Sequence, residues 1–258
     1  MDLGLSGRRA LITGGSRGIG FGIARLLAEE GCNIALCSRS QASLEAARDA
    51  LKRVRPDIAV DIYPIDLASN EGAVALAAAC GPVDVLVNNA GAIPQATLED
   101  MGDAQWRAAW ELKVYGFINL TREVYRTMKA KDSGVILNVI GIAGERALPN
   151  YVAGSMGNAA LMAMTRALGV DCMNSGVRVV GLNPGSTETD RQVVRWKARA
   201  QARFGDEGRW RELVTDFPQG RLATVDEVAA TAVFLCSGRS SYTNATVVTV
   251  DGGWTSAR

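Results

Sequence analysis

Histidine is absent from the 258 residues. That excludes a Ser-His or Cys-His nucleophile and leaves no imidazole to complete a zinc set. Cysteine is sparse: Cys32, Cys37, Cys80, Cys172 and Cys236 are scattered with no close pair and no metal spacing. They read as reduced core thiols, and no metal site is expected. A surplus of charge is missing too, with 28 Lys plus Arg against 27 Asp plus Glu. No net field then favours nucleic acid or an acidic membrane, and binding has to come from a local site. No apolar stretch approaches the ~18 residues of a membrane helix, and no secretory leader precedes Gly7, so a cytoplasmic protein is expected. Proline-rich linkers, repeats and low-complexity tracts are lacking, which predicts one domain over residues 1–258.

What is present begins at Ala10. The apolar run Ala10-Leu11-Ile12 meets Thr13 and glycines at 14, 15, 18 and 20, followed by the helical spacing of Ile23, Leu26 and Leu27. This reads as strand, tight turn and helix. Such a turn brings the backbone close to a ligand, and the unpaired N–H groups and positive dipole end of the helix face it. The stretch is a candidate phosphate cradle; a lone glycine cluster would more simply be a connection.

Strand and helix patterns then alternate to the C-terminus. Strands are predicted at 33–38, 60–65, 83–88, 134–140, 177–183 and 246–250. Helices are predicted at 42–54, 72–80, 101–129, 155–174 and 225–237. The strands are continuous Val/Ile/Leu runs without alternation, as expected where both faces are covered. The fold class is therefore α/β, a single-domain, doubly wound parallel sheet of about seven strands.

Four motifs in order, Thr13-Gly14-x-x-x-Gly18-x-Gly20, Asn88-Asn89-Ala90-Gly91, Pro184-Gly185 with Thr189, and Asp251-Gly252-Gly253, resemble the short-chain dehydrogenase/reductase family over essentially the whole chain. The resemblance implies a Rossmann-like fold with a nicotinamide nucleotide at the carboxyl ends of the strands. It implies cofactor contacts from Gly14, Ser16, Arg17, Gly18, Ile19 and Gly20, from Asp66 and Leu67 by the adenine, from Asn89, Ala90 and Gly91, and from Pro184, Gly185, Thr187 and Thr189. At the end of the second strand stand Ser38 and Arg39, where an acidic residue would bond the ribose hydroxyls of NAD. A cation there, with Arg17 in the turn, suits a 2′-phosphate, so NADP(H) is the expected cofactor and NAD(H) the lesser alternative. Solvated arginines are the bland reading.

The resemblance also implies an Asn-Ser-Tyr-Lys set for proton and hydride chemistry. Counted without a gap from Asn158-Ala159-Ala160-Leu161, Asn158 falls at the lysine and Gly154 at the tyrosine. Asn138-Val139-Ile140-Gly141 puts Gly141 at the serine, and Lys113-Val114-Tyr115-Gly116 puts Lys113 at the asparagine. All four differ from the family's residues. One explanation is a rebuilt redox site acting on a carbonyl or alcohol. In it Tyr151 supplies the proton, Lys113 lowers the pKa of that phenol, and Asn158 bonds the ribose. A second is a non-redox enzyme using Glu145, Arg146, Tyr115 or Glu188. A third is a protein that binds NADP(H) without turnover. Ser155 reads as an N-cap or a helix-surface hydroxyl. Residues 188–217 carry Trp196, Phe204, Trp210 and Phe217 among Arg191, Arg195, Arg199, Arg203, Arg209 and Arg211, which suggests a substrate lid. An arginine turned inward there would hold a carboxylate or phosphate; turned outward it is a solvated face. The family resemblance further implies a homodimer or homotetramer built on the helices at 101–129 and 155–174 and on the last strand.

Overall fold

The computed structural model describes residues 2–257. Seven strands form one parallel sheet in the order β3-β2-β1-β4-β5-β6-β7: β1 Arg9–Thr13, β2 Asn33–Ser38, β3 Val60–Pro64, β4 Val85–Asn88, β5 Gly134–Val139, β6 Val177–Pro184 and β7 Val247–Val250. The helices are α1 Gly18–Glu29, α2 Gln41–Val54, α3 Asn70–Cys80, α4 Asp103–Trp110, α5 Gly116–Ala130, α6 Val152–Asp171, α7 Asp190–Phe204 and α8 Val225–Cys236. The doubly wound α/β sheet of seven strands is as the sequence predicts.

Both faces of the sheet are dry, which explains the unbroken apolar runs. On one face Ile12, Leu36 and Val87 pack with Ile23 and Leu27 of α1, Leu44 and Leu51 of α2 and Val228 of α8. On the other Leu11, Leu86 and Ile136 pack with Leu76 of α3 and Leu120 and Val124 of α5. All five cysteines are buried free thiols. The strand order reverses between β1 and β4, so the chain leaves these neighbours in opposite directions and a crevice opens at their carboxyl ends.

The end of β4 is fixed to that crevice by side chains. Thr13 Oγ1 accepts from the backbone N–H of Asn89 at 2.9 Å and of Ala90 at 3.0 Å, while Asn89 Nδ2 donates to the Thr13 carbonyl at 3.0 Å. Beneath it, Asn88 Nδ2 donates to Thr121 and to Asn138, and Asn138 Nδ2 donates to Thr165. These bonds pair the Asn88 N–H groups and the Asn138 amide, buried groups that would otherwise cost about 1–3 kcal/mol each, while Asn88 Oδ1 has no partner among the described residues.

Two elements depart from the sequence reading. The helix predicted at 101–129 is interrupted by a π-helical turn at Glu111–Tyr115 between α4 and α5. Widened turns of this kind are frequent at functional sites, and this one carries Lys113 and Val114 to buried positions. The helix predicted from Ser155 begins at Val152 with Tyr151 as its N-cap residue. Ser155 is therefore neither cap nor surface hydroxyl. It is buried, and its Oγ accepts from the Leu148 N–H at 3.2 Å, tying down the loop before the helix.

Candidate active site

The crevice is a cleft of about 470 Å³ that runs along the carboxyl ends of the strands. Its first wall is the turn between β1 and α1. Gly14 and Gly18 take positive φ there, and Arg17 at the N-cap of α1 makes no side-chain capping bond. Ser40, Ser69, Thr189 and Thr224 cap α2, α3, α7 and α8 with their side chains, whereas α1, like α4 and α6, has no side-chain cap, and Gly18 and Ile19 of its first turn line the cleft. Ser16, Arg17, Gly18, Ile19, Ser38, Arg39, Asp66, Leu67, Asn89, Ala90, Gly91, Pro184, Gly185 and Thr189 all line it with Gly14.

Two residues expected at the cofactor do not line the cleft. Gly20 packs inside α1, where a β-carbon would collide with the Asn89 amide and the Gly14 carbonyl. Thr187 is buried and its Oγ1 donates to the Gly185 carbonyl at 3.1 Å. Two others line it with their polar groups partly spent. The amide of Asn89 pins the turn, as described, and Thr189 Oγ1 caps α7 by accepting from Gln192 N–H.

At the far end lie the catalytic candidates. Lys113, Tyr151 and Asn158 all line the same cleft. Lys113 is buried, its stem lies against Gly91, its Nζ sits 4.7 Å from the Phe117 ring centroid, and it donates to the Val139 carbonyl at 2.8 Å. Loss of hydration pulls its pKa down to about 7, helped by the nearby charge of Arg191. Asn158 donates from Nδ2 to the Gly141 carbonyl at 3.2 Å, so Lys113 and Asn158 both hold the end of β5.

The Tyr151 ring folds back over Gly154, filling the space that a side chain at 154 would enter. Its backbone is pinned to Ala96 by a β-bridge, and its ring packs with the cluster of Ile93, Met101, Ala109 and Ala153. Burial raises the phenol's pKa, and the charges of Arg195 and Arg191 partly oppose that. The expectation that Lys113 lowers it is not met: the cations acting on the phenol are these two arginines, and Lys113 Nζ is turned to the Val139 carbonyl.

Arg191, Gln192 and Arg195 are cleft residues that the sequence did not single out from the arginine-rich stretch. The readable signal is their place on the first turns of a helix that Thr189 caps, with Arg191 and Arg195 four residues apart and so on one face. Glu145, Arg146, Tyr115 and Glu188 do not line the cleft. Glu145 accepts from Asn183, Arg146 donates to the Trp254 carbonyl, Tyr115 is exposed on a separate groove, and Glu188 pairs with Arg211. Among the described residues no cluster of three or more metal-ligating side chains occurs, and no helix is long and apolar enough to cross a membrane.

Residues 14–255 match a family profile described as Enoyl-(Acyl carrier protein) reductase. The chain is 32% identical to the 3-oxoacyl-[acyl-carrier-protein] reductase FabG of Chlamydia muridarum, covering 96% of this chain and 98% of that one. It is 35% identical to the L-xylulose reductase of Bos taurus, covering 98% and 99%. Among solved structures, the L-sorbose reductase of Gluconobacter frateurii, crystallised with NADPH and L-sorbose, superposes with a TM-score of 0.93 at 31% identity over 100% of both chains.

Proposed function

This chain belongs to the short-chain dehydrogenase/reductase family, and we propose that it is an NADP(H)-dependent oxidoreductase for a carbonyl/alcohol pair whose proton donor has moved from position 154 to Tyr151. The observation that carries this reading is the ring of Tyr151 lying over Gly154. A phenol missing from one residue is supplied by another three positions earlier, in the same cleft as the glycine turn. In this reading Gly154, Asn158, Gly141 and Lys113 stand where the family resemblance implies Tyr, Lys, Ser and Asn.

The cofactor end fits NADP(H). Ser38 Oγ is buried at the cleft with no hydrogen-bond partner among the described residues, a costly state that a ribose or phosphate oxygen would relieve. Arg39 beside it and Arg17 in the turn form no salt bridge with a described carboxylate, which suits them to a 2′-phosphate. The uncapped N–H groups of α1 suit the diphosphate, and Asn158 suits the nicotinamide ribose. The L-sorbose reductase was solved with NADPH, which supports the same choice. When bound, NADP(H) supplies the hydride.

The protein's part is the proton. The Tyr151 phenol, whose pKa burial raises, carries its proton at neutral pH and is the group placed to donate it to the substrate oxygen in carbonyl reduction. Lys113, titrating near neutrality, places a cation on the cleft floor that attracts the same oxygen. Helix α7 and the 3₁₀ segment Glu207–Val214 form the lid, closed on an apolar cluster of Ala200, Trp210, Val214 and Leu222. A homodimer or homotetramer is in keeping with exposed Met156 and Val170 on α6.

The test is a fluorescence titration with NADPH followed by absorbance assays with aldehydes, ketones and quinones. Tight binding with carbonyl-dependent NADPH oxidation is the expected result. Tight binding without turnover would leave a cofactor-binding protein, and no binding would overturn the reading of the glycine turn.

A further inference from the structure

We propose that Arg191 and Arg195 form an anion site at the hydride end of the cleft, so that the carbonyl substrate carries a carboxylate or phosphate. The inference rests on the oxidoreductase reading and adds to it the substrate's charge. Both arginines line the cleft from one face of α7. The other arginines of the surrounding segment are either ion-paired or, like Arg199 and Arg203, laid over the rings of Trp196 and Phe204. Arg209 pairs with Glu212, Arg211 with Glu188 and Arg221 with Glu227. Arg191 and Arg195 pair with no carboxylate among the described residues. Arg191 donates only to the Gly91 carbonyl at 3.2 Å, and Asp190 on the same wall forms an ion pair with neither.

The pair is also held at a cost. Arg191 is destabilised by loss of hydration and by repulsion from Arg195 and Arg17. Like charges kept together beside a cleft, with no counter-ion from the protein, are relieved by an anionic ligand. The cofactor accounts for other cations. Arg39 belongs to the end of β2, at the adenosine end; Arg191 feels both Arg17 of the glycine turn and Tyr151 and so stands between the two ends, while Arg195 is the first charge felt by Tyr151. Guanidinium groups two helical neighbours apart can grip one carboxylate or phosphate and turn its carbonyl toward Tyr151 Oη. Gln192 lies between them in sequence and also lines the cleft, offering a neutral amide to the same ligand.

The test uses the full chain, with malonate and inorganic phosphate as non-reactive probes, read by thermal shift with and without NADPH. Wild type is expected to bind at least one anion, malonate marking a carboxylate site and phosphate a phosphoryl site. Arg195→Ala should weaken that anion by about tenfold, Arg195→Lys should retain part of it, and NADPH affinity should change by less than about twofold. In turnover, Arg195→Ala should lower kcat/KM for 2-oxobutanoate about tenfold more than for its uncharged methyl ester, a loss common to both substrates reporting only the arginine's charge on Tyr151. Anion affinity unchanged by Arg195→Ala, or NADPH affinity lost in step with it, overturns the proposal. Reduction of the methyl ester by wild type in either case leaves the oxidoreductase reading standing. Failure of wild type to bind NADPH sinks that reading instead, while the anion shifts of the NADPH-free protein still decide the arginine pair.

Discussion

Lys113→Met separates the cost of Lys113 from its use. The buried ammonium has its pKa drawn from 10.5 to about 7. Between those values the unfolded chain binds more protons than the native one, so native stability rises with pH across that window. At ~1.4 kcal/mol per pKa unit, ionisation of Lys113 destabilises the native protein by about 4 kcal/mol at pH 7 and about 2 kcal/mol at pH 9. Methionine keeps the length and removes the charge. It also removes the 2.8 Å bond to the Val139 carbonyl, a loss of about 1–2 kcal/mol. The variant should therefore be more stable than wild type by about 2–3 kcal/mol at pH 7, with the advantage shrinking toward zero at pH 9. Urea unfolding followed by circular dichroism at the two pH values measures both. A variant no more stable at pH 7, or one whose advantage is the same at pH 9, would refute the account of a poorly solvated, uncompensated cation. Turnover should move the other way, falling by about a hundredfold, because a destabilising group at an active site is retained for function.

Tyr151→Phe should lower kcat by about a hundredfold or more while leaving NADPH affinity nearly unchanged, measured by steady-state kinetics and fluorescence titration; unchanged turnover would reject Tyr151 as the acid. Arg39→Asp should weaken NADPH far more than NADH, by about tenfold or more in the ratio of dissociation constants, and equal losses would place Arg39 away from the 2′-phosphate. Gly154→Ala puts a methyl group into the Tyr151 ring. The ring must shift, so kcat should fall by about tenfold or more, with a loss of stability of about 1–3 kcal/mol; an active, wild-type-like variant would show that the position of the ring does not matter.

The sheet was legible because its physics is local. Runs such as Ile34-Ala35-Leu36 and Val135-Ile136-Leu137 are covered on both faces, so their composition announces buried parallel strands without knowledge of their neighbours. The glycine turn was legible for the same reason: positive φ at Gly14 and Gly18 is a property of the backbone at those residues. The chemistry at the other end depends on which way side chains turn, and pattern is weaker there. The π-turn at Glu111–Tyr115 sets the register of Lys113, and helical periodicity does not register an extra residue in one turn. Arg191 and Arg195 were hidden among arginines of which some pair locally, as Arg209 does with Glu212, and others with a distant partner, as Arg211 does with Glu188.

Glycines and polar side chains at this site are matched to each other. The stem of Lys113 lies where a β-carbon at Gly91 would be, the Asn158 amide approaches the position of one at Gly141, and the Tyr151 ring covers Gly154. Each glycine makes room for a polar group that arrives from elsewhere in the chain. Had the polar groups merely been lost, the cleft would be wider at these points and lined by backbone. Instead a phenol, an amine and an amide still line it, two of them bonded to the carbonyls of Val139 and Gly141 and the third packed against Ile93 and Ala153. Close packing is sensitive to single methyl groups, so such fits do not persist through unrelated substitutions. The glycines and the side chains that pack over them form one unit, with mutational effects that are coupled and not additive.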